Sequence, residues 1–497
     1  MSRRLQLAAV AAAFIAVGVA TACGGTTKSK PGGIGQSGAA LVDSGALAFV
    51  AIDSDLSSSR WQQLDALVKK FPVRDKFLAE LKRGLATQQI DYERDVKPAL
   101  GPELDVSFVG GASMRDVSYA VLTKPDSIER ATALVHKIDA ASPPPSATRV
   151  VGDWLVVSEN RQMIDSVLKG SGSPLSDDGH FKDAFGKLPD DALVKAYVNG
   201  RQLSQLVGSL YGGAAQTTAT GGTAPFGLDK LDWLVASAVA QGHGIKLEGD
   251  AKGVNGGDLL GAPYASKLIS GVPADALAFV SFHGRSGVDP LSQLRQNPMF
   301  RQGLSQIEGQ LGVRLDDVFA LFEHETALYV RRGPGLPEFS LVLEAPNTEQ
   351  ALTTIDRLAS GVAKLAHAQL GAEKQGGVDV KTLNVGQVTA RWAGFDGRVM
   401  ITTARTGIAD YRASGDKLAD DSGFKNALDA AGAPHKTNGL VYVNLADGLQ
   451  LIYSYAGLAG GKLPPDVKEN LKPLQSFVAY GSSDGDLTKV AAFLEIK

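Results

Sequence analysis

Gly481-Ser482-Ser483-Asp484-Gly485 has the Gly-x-Ser-x-Gly spacing of a hydrolase nucleophile elbow. That chemistry needs a sharp strand-to-helix turn that lifts the serine hydroxyl out of the backbone. Here the strand-like stretch Leu487 to Glu495 follows, so the motif reads as a glycine-rich hairpin turn. Gly33-x-Gly35-x-x-Gly38 has the spacing of a dinucleotide fingerprint, but no strand precedes it, and it reads as linker. Asp53 and Asp55 could open a calcium loop, which requires glycine at the sixth place and an acid at the twelfth. Ser58 and Leu64 stand there instead. Glu323-His324-Glu325 is the densest ligand-like cluster. Zinc takes three or four protein ligands, and no second His or Cys lies nearby in sequence, so a surface turn leading into a strand is expected. No catalytic residue, no metal and no cofactor is expected.

One side chain keeps a chemical role. Cysteine occurs once, at Cys23, where it closes a three-part N-terminal segment. Arg3 and Arg4 form a basic start, Leu7 to Ala22 carries no charge, and Ala20-Thr21-Ala22 supplies small residues before the thiol. That is the layout of a secretory signal peptide over residues 1–22. The cysteine at the cut site resembles the lipobox of bacterial lipoproteins. The resemblance implies that the Cys23 thiol is acylated, with palmitate or a similar chain, and becomes the mature N-terminus. A transmembrane helix needs about 20 apolar residues. This run is shorter, and Gly24-Gly25 with a Ser/Gly/Lys stretch follows it. Residues 23–40 are expected to be a flexible, lipid-anchored linker.

The chain has 497 residues, of which 44% are apolar and 21% charged. One core rarely grows past roughly 250–300 residues, so two or more domains are expected. The net charge is −3, and it becomes more negative when Arg3 and Arg4 leave with the signal. No basic face is implied and nucleic acid is not an expected partner. A single cysteine cannot form an internal disulfide.

The elements that would carry any site recur in tandem. Ala46-Leu47-Ala48-Phe49-Val50 returns as Ala276-Leu277-Ala278-Phe279-Val280. Pro125 with Asp126 and Glu129 is echoed by Pro346 with Asn347 and Gln350, both capping boxes in the broad sense. Asp177-Asp178-x-x-Phe181-Lys182-x-Ala184 returns as Asp420-Asp421-x-x-Phe424-Lys425-x-Ala427, and Tyr197-Val198-Asn199 as Tyr442-Val443-Asn444. Two homologous repeats are expected, 41–262 and 263–497. Each opens with a strand, passes through helices, two strands, a capped helix and a further strand, and ends in a hairpin. Strands joined by hairpins, with helices in clusters, point to an α+β fold with largely antiparallel sheets. The recurring pairs Asp177-Asp178 and Asp420-Asp421 are expected to stand at helix starts and satisfy free backbone N–H groups. Gly212 to Gly227 and Gly457 to Pro465 are expected to be loose segments beside apolar helical stretches.

The stretch Val272-Pro273-Ala274-Asp275-Ala276-Leu277-Ala278-Phe279-Val280, opening a long α/β repeat behind an export signal, resembles domain-of-unknown-function family 3352. The resemblance implies an exported or membrane-anchored bacterial protein and carries no catalytic residue across. The expected function is non-catalytic binding or scaffolding by a cell-envelope lipoprotein on the outer face of the membrane. The expected partners are the membrane, through the N-terminal lipid, and an envelope protein. The alternative is a carrier that holds a lipid or other hydrophobic ligand between or within the repeats.

Overall fold

The computed structural model describes residues 33–111, 116–141, 143–170, 172–215, 230–254, 261–285, 298–458 and 464–497. They belong to two compact units. The first runs to Asn255 and adds Leu463–Leu474 and Gly485–Lys497; the second comprises Gly256–Lys462 and Gln475–Asp484.

The first unit contains β1 (Ala46–Asp53), β2 (Glu103–Val109), β3 (Ser118–Lys124), β4 (Ala147–Val151), β5 (Trp154–Ser158), β6 (Val194–Asn199), β7 (Trp233–Gln241) and β8 (Gly244–Lys252). They pair antiparallel in the order β4-β5-β3-β2-β1-β6-β7-β8. The second unit contains β9 (Ala278–His283), β10 (Glu325–Arg331), β11 (Glu338–Glu344), β12 (Gln369–Gln375), β13 (Val378–Val385), β14 (Val388–Phe395), β15 (Arg398–Thr402), β16 (Gly439–Asn444) and most of β17 (Leu474–Asp484). Their order is β12-β13-β14-β15-β11-β10-β9-β16-β17, again antiparallel throughout. The last strand, β18 (Leu487–Ile496), pairs with β8 in the first unit. Each unit is therefore α+β with an antiparallel sheet.

Side chains alternate across a strand, and the first sheet is covered on both sides. Trp154 and Val156 of β5 enter one core with Phe49, Ile164, Phe181, Phe185 and Trp233. Leu155 and Val157, pointing the other way, enter a second core with Trp61, Leu67, Leu134 and Ile496. The apolar run Trp154-Leu155-Val156-Val157 follows from burial on both faces. Helices Arg161–Val167 and Gly179–Phe185 supply the first cover, Ser59–Val68 and Ile128–Ala141 the second.

The same aromatic contacts occur in each unit. Phe49 faces Tyr197 across β1 and β6, and Phe181 meets both rings edge-on at 5.9 and 5.1 Å. Phe279 faces Tyr442 across β9 and β16, and Phe424 meets both at 6.5 and 4.9 Å. The Asp178 carboxylate accepts from the Phe181 amide at 2.9 Å, and Asp421 from Phe424 at 2.8 Å, so both expected caps form. Asn347 accepts from the Gln350 amide as expected. Its counterpart differs: Ser127, not Asp126, reaches the Arg130 amide.

Four further expectations are corrected. The end of the expected linker 23–40 is folded: residues 36–39 form a helical turn, Ile34 and Ala39 are buried, and the Gly35 amide donates to Glu103. Gly38 packs so closely that a Cβ there would overlap the Asp105 carboxylate. The strands β4, β12, β13 and β14 lie where none is expected. The final turn falls at Gly485, because β17 continues through Asp484. Helices Gly200–Ala215 and Leu445–Leu458 extend into the two segments expected to be loose, and helix Pro465–Leu471 takes up the end of the second. Residues 216–227 and 459–463 of those segments lie outside the described residues.

Candidate functional site at strand ends of the second unit

Cys23, with the rest of residues 1–32, lies outside the described residues. The serine motif is not an elbow. Gly481 to Asp484 are strand residues, and the Ser483 hydroxyl accepts from the Asn438 amide side chain at 3.0 Å, while Asn438 also donates to the Gly261 carbonyl. Asp53 is buried and accepts from Ser58 Oγ at 2.8 Å and from Arg60 at 3.0 Å. Asp55 accepts from the amide and hydroxyl of Ser57. These two acids organise the entry to helix Ser59–Val68.

Glu323-His324-Glu325 is more than a surface turn. Glu325 is only 2% exposed, and its carboxylate accepts from Ser266 Oγ at 2.5 Å and from the amides of Lys267 at 2.8 Å and Leu268 at 3.1 Å. It pins the incoming chain to the start of β10. Glu325 sits opposite His283, the last residue of β9. Thr326 sits opposite Leu343, so the end of β11 brings Glu344 alongside. Ligand-type atoms of His283, His324 and Glu344 lie within 4.8 Å of one another, and all three residues are half-buried. The imidazoles meet edge-to-face, with centroids 6.3 Å apart and an interplanar angle of 88°. His283 also lies against Tyr264, whose hydroxyl bonds Ser281. The Glu325 amide donates to Glu344 at 3.4 Å, and the Lys267 ammonium lies 3.7 Å from Glu344. Sequence reasoning singles out His324 but reads it as a surface turn and does not join it to His283 and Glu344, because only strand register places them together.

The ends of β1, β2 and β3 in the first unit carry other chemistry. Asp53 sits opposite Glu103, and Glu103 opposite Lys124. Glu103 holds the incoming Gly35 amide at 3.0 Å and the Ser37 hydroxyl at 3.2 Å, as Glu325 holds its own segment. Lys124 pairs with Asp153 at 2.8 Å. No imidazole stands at these positions.

Beside Glu103, Asp105 is fully buried, and no hydrogen-bond donor partners either of its oxygens. Burial, and then the Glu103 charge, push its carboxyl well above the usual carboxylate range; protonated, it bonds to Glu103. The folded state therefore keeps this proton at pH values where the unfolded chain has lost it. The stabilisation is full below the ordinary Asp pKa of 3.8 and is lost as pH rises through the raised folded value. Asp105→Asn mimics the protonated form and should remove this pH dependence. Urea unfolding over a pH series should show the variant gaining on the wild type as pH rises above 4 or so. Parallel profiles would contradict a buried, protonated Asp105.

No described helix is long and apolar enough to cross a membrane. Comparison with curated proteins finds no match. Two solved structures of TP0453, crystal forms IV and III, show slight likeness. They are 10% and 9% identical, with TM-scores of 0.23 and 0.25. Each covers 46% of this chain, and the matches take in 81% and 92% of TP0453. The family comparison reaches most of the chain: residues 129–496 match the family described as protein of unknown function, DUF3352, and the chain belongs to it.

Proposed function

We propose that this protein is a lipoprotein of the bacterial cell envelope, tethered through acylated Cys23, with a binding or scaffolding role and no catalytic step. The observation that carries the proposal is the lone thiol at the end of the uncharged run Leu7 to Ala22, followed by Gly24-Gly25. Membership of DUF3352 is compatible with this role and assigns no reaction. The conversion of the serine motif and of Asp53 and Asp55 to structural partners supports a non-catalytic reading. Cys23→Ser should move the protein from the membrane fraction to the soluble fraction, or leave it unprocessed. Fractionation followed by immunoblotting reads this directly, and membrane association equal to the wild type would refute the anchor. Mass spectrometry of material that co-purifies with the protein separates the two expected roles: a bound protein favours the scaffold, a bound lipid the carrier.

The tandem repeat belongs to the same proposal. It is supported by the shared central order, β5-β3-β2-β1-β6-β7 in one unit and β15-β11-β10-β9-β16-β17 in the other. The matching aromatic triads and the glutamates Glu103 and Glu325, each seizing an incoming segment, add to that support. On this reading the two copies keep a common frame, while the residues at their strand ends have diverged.

A further inference from the structure

We propose that His283, His324 and Glu344 bind a single zinc ion, with the fourth coordination position left to solvent. His283 ends β9, Glu344 ends β11 and His324 immediately precedes β10, so the antiparallel sheet sets their spacing. Zinc holds imidazole nitrogen and carboxylate oxygen at about 2.0–2.2 Å in tetrahedral sites, which places its ligands roughly 3.3–3.6 Å apart. The donor atoms here lie within 4.8 Å of one another. On binding the ion the donor atoms would draw together by up to about 1.2–1.5 Å.

One ligand has a backbone partner for one of its ring nitrogens. His283 Nδ1 lies 2.7 Å from the Gly284 carbonyl oxygen. A carbonyl can only accept, so the neutral tautomer that makes this bond has its proton on Nδ1 and its lone pair on Nε2. A backbone carbonyl on the far nitrogen of a ligating histidine is a recurring support of metal sites. Glu344 has support as well, from the Glu325 amide. Its other neighbour, the Lys267 ammonium, is 77% exposed on its side chain and 3.7 Å away. That lysine can swing into solvent when a dication arrives.

The donor set selects the metal. Two imidazoles and one carboxylate suit zinc and neighbouring transition metals, whereas magnesium and calcium favour oxygen alone. The first unit offers a built-in comparison, because the positions matching His283, His324 and Glu344 carry Asp53, Pro102 and Lys124, and Arg60 occupies Asp53. The site is therefore expected once per chain. This inference does not depend on the Cys23 anchor.

The test is calorimetric titration of zinc chloride into full-length protein extracted in detergent and stripped with a chelator. One zinc per chain should bind at micromolar concentration or tighter. His283→Ala and His324→Ala should each weaken binding by about a hundredfold, in the range that loss of metal-site residues produces. His435→Ala, at an exposed histidine elsewhere, should leave it unchanged. Cobalt(II) added to the wild type should give the intense visible bands of a tetrahedral site, a readout that needs no variant. Circular dichroism confirms that each variant is folded; if an alanine variant is not, His283→Gln and His324→Gln replace it. Absence of saturable zinc binding, octahedral cobalt spectra, or folded His283 and His324 variants that bind as the wild type does would each overturn the proposal.

Discussion

Phe279→Ala should lower the stability of the second unit by about 3–5 kcal/mol, the usual cost of emptying a fully buried phenyl site. Phe279 has no exposed surface and stands between Tyr442, its partner on β16, Tyr329, its partner on β10, and the edge-on ring of Phe424. Three rigid neighbours held by two strands and a helix leave little scope for collapse into the cavity. Phe49→Ala should cost a similar amount in the first unit, where Phe49 is equally buried against Tyr197, Phe181 and Phe185. Chemical unfolding of both variants, followed by tryptophan fluorescence, measures the pair. Losses near 1 kcal/mol at either site would mean that the ring is not the centre of its core, and would weaken the repeat reading with it.

Glu325→Ala should destabilise by about 2–4 kcal/mol. The substitution strips the acceptor from the amides of Lys267 and Leu268 and from Ser266 Oγ. A buried donor left without a partner costs about 1–3 kcal/mol, more than an average hydrogen bond contributes. Relief from burying the carboxylate offsets part of this loss. Glu325→Gln keeps one acceptor oxygen and should cost less than alanine. Amide hydrogen exchange at Lys267 and Leu268 gives a local readout: protection should fall in both variants, furthest in alanine. Unchanged protection in Glu325→Ala would show that the glutamate does not fasten this segment.

The parts of the fold legible in the sequence are those whose burial leaves a periodic trace. β1, β9 and β15 are apolar and enclosed, and their limits are readable within a residue or two. β12 is polar and largely exposed, so no apolar period marks it. Its signal lies in the turns. Gly376 and Gly377, both at positive φ, join β12 to β13, and Asp396-Gly397, also both positive, joins β14 to β15. Gly-Gly and Asp-Gly pairs are strong hairpin markers, and they are what the sequence offers for these strands.

The strand ends explain why the site was harder to read. In Leu104-Asp105-Val106 the aspartate suggests a solvent face, as in a one-sided antiparallel sheet. Helices and the folded segment 36–39 cover that face, so Asp105 is buried instead. His283 and His324 are distant in sequence and meet only because Glu325 pairs with His283. No local motif encodes that register. Gly35 and Gly38 read as linker glycines for a related reason: their tight packing against Glu103 and Asp105 is a property of the tertiary fold.

The most direct test of the proposed envelope role is mass spectrometry of the mature N-terminal peptide from membrane-purified protein. The expected result is a chain that begins at Cys23, with residues 1–22 removed and the mass raised by fatty acyl groups on that residue. A mature chain beginning at any other residue, or an unmodified Cys23, would contradict it.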